Sequence, residues 1–150
     1  MEHKKIVTVK IDGHEVQAER GTPIIKLAAK LGIYIPTLCH HDFVEPYGSC
    51  RVCSVELRRG KRRRLVTACN YPAQDGEEIY TDTEWVRENR RLILELLLAR
   101  CPEVPVIKEM AAAYGVTETR FEKLYFDCIN CGLCVRICSE VVGANAIGWA

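Results

Sequence analysis

Apolar and polar residues alternate over Ile6-Val-Thr-Val-Lys-Ile11, a β-branched run that stops at Asp12-Gly13. Period-two alternation predicts a strand, Asp-Gly predicts a tight hairpin turn, and residues 14–18 form the return strand. The period then lengthens. Ile24, Leu27, Ala28 and Leu31 recur at helical spacing, with Thr22 as the expected N-cap, Pro23 at the first helical position and Gly32 at the stop. No period is visible over residues 33–50, which read as a long loop. Residues 52–57 and 65–68 read as strands flanking a turn at 58–64, and residues 78–81 as a last short strand after Asp75-Gly76. From Thr83 the helical period returns: residues 84–100 carry a Leu-rich face, stopped by Pro102 and Pro105, and residues 106–114 form a shorter helix closed by Gly115. The order of hairpin, helix, loop and strands predicts a mixed sheet crossed by a helix. Residues 100–105 are the expected hinge to the C-terminal part of the chain.

Composition changes this picture at one point. The 150 residues hold nine cysteines, an odd number that cannot all pair within the chain. Residues 2–5 are polar and lead into a strand pattern, so no export signal is expected and the protein reads as cytoplasmic. Thiols clustered in a reducing compartment point to metal or redox chemistry. The hydrophobic fraction of 48% and charged fraction of 27% suit a globular chain. The longest apolar stretch, residues 92–99, contains Glu95 and is too short to span a bilayer. The charge is uneven: 13 basic against 8 acidic groups over residues 1–75 (+5), and 8 against 12 over residues 76–150 (−4), which sum to the net +1. Two modules with different surfaces are expected.

Cys39, Cys50, Cys53 and Cys69 are separated by ten, two and fifteen residues. Three of them belong to the long loop and the fourth to the next strand. A loop wrapped round two sulfide-bridged irons supplies three thiolates, and a distant residue closes the site. The first gap is longer than in plant-type ferredoxins. Zinc could use four cysteines, but ten residues before a Cys-x-x-Cys pair is unusual for a zinc ribbon. Rieske ligation is excluded, because no histidine follows His41. His40 and His41 read as loop residues or as donors to sulfur.

The stretches Ile35-Pro-Thr-Leu-Cys39-His-His, Gly48-Ser-Cys50-Arg-Val-Cys53 and Thr67-Ala-Cys69 resemble the 2Fe-2S domain of the electron-carrying subunits of complex I and of NAD-linked, electron-bifurcating iron hydrogenases. The resemblance implies an α+β fold: a β-grasp 2Fe-2S ferredoxin domain over residues 1–83, a helical connector over 84–125 and a half bacterial-ferredoxin 4Fe-4S segment over 126–150. It implies Cys39, Cys50, Cys53 and Cys69 as ligands of a 2Fe-2S cluster.

Cys128-Ile-Asn-Cys131-Gly-Leu-Cys134-Val-Arg-Ile-Cys138 has the 2-2-3 spacing of bacterial ferredoxins. One 4Fe-4S cluster on Cys128, Cys131 and Cys134 is expected, with Cys138 as its fourth ligand. Three completions are open: Cys138 folds back, a partner subunit supplies the ligand, or three cysteines suffice. In complex I relatives a His-plus-three-Cys motif follows the helix after the 2Fe-2S domain. Here Cys101 stands where that histidine would be and the three cysteines are absent, so the middle cluster is expected to be missing and Cys101 to be a packing thiol, its alternative role being the missing ligand of the Cys128 site.

Residues 58–64 hold six cations in seven positions. A solvated hairpin tip and a docking surface for an acidic partner both fit; nucleic acid does not, because the charge is local. Trp85 and the Leu face read as core or subunit interface. No nucleotide-binding glycine motif is present. The two cysteine sets point to single-electron relay, and the resemblance implies a place in a multisubunit NAD(P)-linked oxidoreductase of the bifurcating hydrogenase, transhydrogenase or formate dehydrogenase type. Flavin, NAD(P) and the catalytic metal would sit on partner subunits. The competing readings are a stand-alone redox sensor or cluster carrier and a zinc-stabilised interaction module.

Overall fold

The computed structural model describes residues 6–149. β1 (Ile6–Ile11) and β2 (His14–Glu19) form the expected antiparallel hairpin. Its two-residue turn puts Asp12 and Gly13 at φ +48° and +84°, the left-handed pair that matches strand twist. The helix α1 (Ile24–Lys30) follows, then the loop, β3 (Ser54–Arg59), β4 (Arg62–Thr67) and β5 (Glu78–Tyr80). The sheet order is β2-β1-β5-β3-β4, with β1 and β5 parallel and the other pairs antiparallel. This mixed sheet under one helix is the arrangement expected of a β-grasp domain. Ile24, Leu27 and Ala28 of α1 are fully buried against Val9, Ile11, Val55 and Ile79 of the sheet. Each large aliphatic side chain so covered contributes about 2 kcal/mol.

The chain then leaves the sheet as α2 (Glu84–Arg100), α3 (Pro105–Ala113), α4 (Leu133–Arg136) and a π-helical turn, Ile137–Val141. Thr83 caps α2, its Oγ1 accepting the Val86 N–H at 3.3 Å and donating to Glu56 Oε2 at 2.7 Å. Glu56 is wholly buried in β3. The hydrogen bond from Arg58, and less so that from Thr83, hold its carboxyl below the usual range. A second core joins Val52 to Leu94, Leu98, Cys101, Ile107 and Ala111, so α2 and α3 pack behind the loop that carries the first cysteines. No helix among the described residues is long and apolar enough to cross a membrane.

Several boundaries move. Pro23, not Thr22, is the cap of α1, because Pro23 is still extended in a bridge with Pro72 and the Thr22 hydroxyl donates to Glu19 O instead. The arginine run is not a seven-residue turn: Arg59 pairs with Arg62 across a two-residue Gly60-Lys61 turn, so most of its cations lie on strands. Three of them find aromatic faces, Arg58 over Tyr80, Arg63 over Trp85 and Arg64 over Tyr71, at 4.2, 5.0 and 5.2 Å. These contacts repay the ordering of long side chains on an exposed strand. Pro105 opens α3 rather than only stopping α2. The expected hinge at 100–105 is tied down by Leu124 N–H to Ala99 O and Phe126 N–H to Arg100 O, at 2.8 and 2.9 Å.

Candidate metal centre

Cys39 and Cys50 lie in the loop, Cys53 just before β3 and Cys69 just after β4. Closing the β3–β4 hairpin therefore brings the last two together, since the Ala68 N–H donates to Cys53 O at 3.1 Å. Cys39, Cys53 and Cys69 are 1% exposed and Cys50 is half-buried.

The thiols associate as two pairs. Within the first, the hydrogen bond from Cys50 is the main force holding the Cys39 thiol down to about 5, and its counterpart pushes Cys50 up. Within the second, the hydrogen bond from Cys69 holds Cys53 down to about 7 while Cys69 is pushed up. Burial opposes both depressions. All four interact electrostatically, because Cys69 responds to the charge of each of the other three. Backbone amides serve the sulfurs as well: the Cys50 N–H donates to Cys39 Sγ at 3.4 Å.

Among the described residues no three metal-binding side chains gather tightly enough to hold a single ion. Two thiol pairs, three of the four thiols buried and with amide donors on sulfur, are the donor set that fits two bridged irons rather than one tetrahedral zinc. Two buried nitrogens without a partner, His40 Nδ1 and Arg136 Nε, belong to residues adjoining or bonded to Cys39. Neither His40 nor His41 donates to a cysteine sulfur: His40 Nε2 lies 3.7 Å from Asp42, and His41 Nδ1 accepts from the Phe43 N–H.

The loop folds this way partly because of Gly48. It sits at φ +71°, and a Cβ there would lie 2.6 Å from the Asn70 side-chain nitrogen. Asn70 is itself bonded to Thr67. Arg51, between the two Cys-x-x-Cys thiols, holds φ +62° without being glycine, so strain is concentrated at the site. Gly48→Ala is expected to cost about 1–2 kcal/mol of stability and to lower iron incorporation at this site. Thermal unfolding and iron analysis of the purified variant check both.

Cys128 and Cys131 lie on the approach to α4, Cys134 on α4 and Cys138 on the π-helical turn. Cys138 Sγ accepts the Ala146 N–H at 3.2 Å, and the Cys128 thiol faces Asn130 Oδ1 at 3.9 Å. Gly132, at φ +72°, starts α4 under the Trp149 ring. Cys101 is fully buried in the second core, where burial pushes its thiol up, and its S–H faces Cys128 O at 3.4 Å. This is the environment of a packing thiol, set against the backbone of the second cysteine segment.

Two arginines were not singled out by sequence reasoning. Arg90, 3% exposed on α2, donates to Val52 O at 3.1 Å, Ser54 O at 2.9 Å and the Tyr114 hydroxyl at 3.0 Å. It locks the helix to the backbone either side of Cys53. Its position in Val86, Arg90, Leu94, Leu98, a four-residue repeat on the core face, was the available signal. Arg136, between Cys134 and Cys138, reaches back to the first site: Nη1 donates to Glu45 O at 2.7 Å and Nη2 to Cys39 O.

Comparison with known proteins agrees with this geometry. Residues 4–84 match the model of the 2Fe-2S iron-sulfur cluster binding domain. The chain is 36% identical to an NADH-quinone oxidoreductase subunit of Rhizobium meliloti and to the alpha subunit of the NADPH-Fe(3+) oxidoreductase of Geobacter sulfurreducens. Each match covers 95% of this chain and 20% of the relative. The chain thus spans about a fifth of the length of these curated relatives. A chain in the crystal structure of an NAD+-reducing [NiFe]-hydrogenase superposes with a TM-score of 0.80 at 30% identity, over 96% of this chain and 71% of that one. With a match reaching from before β1 into the first turn of α2, over more than half of its residues, the chain belongs to the family of 2Fe-2S iron-sulfur cluster binding domains.

Proposed function

We propose that this chain is a two-centre electron relay within a multisubunit NAD(P)-linked oxidoreductase. Cys39 and Cys50 would hold one iron of the 2Fe-2S cluster, and Cys53 and Cys69 the other. Cys128, Cys131 and Cys134, with Cys138 as fourth ligand, would hold a 4Fe-4S cluster. The division into residues 1–83, 84–125 and 126–150 belongs to the same reading. Each cluster, when bound, supplies a site for one electron at a time. The chain's own task is to hold the thiols, donate amides to sulfur and keep water from Cys39, Cys53 and Cys69.

The observation that carries this reading is the docking of the second cysteine segment on the loop of the first. Besides the Arg136 bonds, Glu140 accepts the Glu45 N–H at 2.7 Å. Electrons would enter from a flavin subunit and leave to another redox centre, in the cytoplasm. The oxidoreductase names of the relatives support the kind of assembly. The cationic β4 strand is the surface we assign to an acidic partner subunit.

Anaerobic purification with iron and acid-labile sulfide analysis, and EPR of the reduced sample, tests the reading. About six of each, with two distinct signals, is the expected result for one two-iron and one four-iron cluster. About two of each would limit the chain to the first centre and overturn the second. Zinc without sulfide would overturn the relay altogether.

A further inference from the structure

Arg136 is the last residue of α4 and 8% exposed. Its guanidinium is held by the carbonyls of Cys39 and Glu45 and lies 5.3 Å from the centre of the Tyr47 ring. No carboxylate pairs with it among the described residues. A buried cation satisfied only by carbonyls and a ring keeps its charge largely unscreened, and that charge stands against the backbone of a proposed cluster ligand. Its position depends on a separate piece of structure. Gly132 must take the left-handed conformation beneath Trp149 to start α4, and Glu140 anchors the following turn to Glu45.

We propose that Arg136 is a positioning residue through which the segment of α4 and its following turn, with Cys134 and Cys138, sets the reduction potential of the 2Fe-2S site. The inference rests on the cysteine assignment above for that first site. Reduction adds one electron to the cluster, with no bond made or broken, and the added negative charge is favoured by a fixed cation nearby. Cluster potentials respond to net charge, hydrogen bonding and solvent exposure. When the turn is folded, Arg136 supplies the first two at Cys39 and helps to exclude solvent. When the turn is displaced, the cation leaves with it and the site becomes harder to reduce. The first centre thereby senses whether the second segment is in place.

The test is an EPR-monitored dithionite titration of the full chain as wild type, R136Q, R136K and G132V. The 2Fe-2S signal is expected in all four. Its midpoint falls in R136Q and, to the same extent, in G132V, which disturbs the turn without touching the first loop. In R136K it stays nearer the wild type, because the charge remains. Limited proteolysis within residues 126–149 is expected to be at least about tenfold faster in R136Q and G132V. A merely structural Arg136 would speed proteolysis and leave the midpoint unchanged, and that result in R136Q overturns the proposal. If R136Q assembles no cluster, G132V decides alone: an unmoved midpoint overturns the proposal, and a lowered one supports it. A wild-type chain without a 2Fe-2S signal removes the underlying cysteine assignment instead.

Discussion

Cys53→Ser is expected to remove about two irons and two sulfides per chain, together with the 2Fe-2S EPR signal, while the iron proposed for the second set is retained. Cys53 is 1% exposed and belongs to the main hydrophobic core, where it pairs with Cys69 across the closed β3–β4 hairpin. A hydroxyl is a poor ligand to iron at neutral pH and a costly group to bury without a full set of partners. Iron is therefore lost and stability falls as well. The control is Cys101→Ala. Cys101 is equally inaccessible, yet it packs in the second core with its thiol against a carbonyl. Losing its sulfur should cost about 1–2 kcal/mol as a small cavity and no iron at all. Iron and sulfide analysis beside thermal unfolding of the two variants separates a ligand from a packing thiol. Equal iron loss in both would overturn the distinction.

Arg90→Met is expected to be the most destabilising change outside the cysteines. The side chain fills a buried slot between α2, β3 and the end of α3, and its guanidinium serves two carbonyls and a tyrosine hydroxyl. Methionine retains much of the volume but leaves the Val52 and Ser54 carbonyls without these donors. At about 1–3 kcal/mol per buried group left unsatisfied, the loss is about 3 kcal/mol, read as a lower urea midpoint. Because Val52 and Ser54 flank Cys53, the first centre should also lose iron faster to a chelator. A variant with wild-type midpoint and chelation rate would show that water replaces the guanidinium at no cost.

What could be read from the sequence was what is encoded locally. The Asp12-Gly13 hairpin and α2 behind its Thr83 cap lie where their residues predict, because turn conformation and helical period need no distant partner. The grouping of Cys39, Cys50, Cys53 and Cys69 was legible in their spacing and flanking residues, whereas their association as two pairs depends on how the hairpin closes. The first half of β4 was hidden, since three consecutive arginines carry no hydrophobic period and their strand conformation is stabilised by register with β3 and by the Trp85 and Tyr71 rings. The four-residue α4 is too short for any period to register. Arg136 was illegible for a different reason: its partners Cys39 and Glu45 are 97 and 91 residues away, so only the fold brings them together.

Strand β4 is one edge of the sheet, and its outward backbone N–H and C=O groups have no strand beside them among the described residues. Such an edge invites a second copy to add a strand and start an aggregate. Two copies pairing there in antiparallel register about Arg63 would set Arg62, Arg63 and Arg64 against the same three arginines at strand spacing, which like-charge repulsion disfavours. The same residues that we assign to an acidic partner surface would keep the edge from recognising itself. Colloidal behaviour should follow: high salt, which screens the arginines, would weaken this protection and favour self-association through β4.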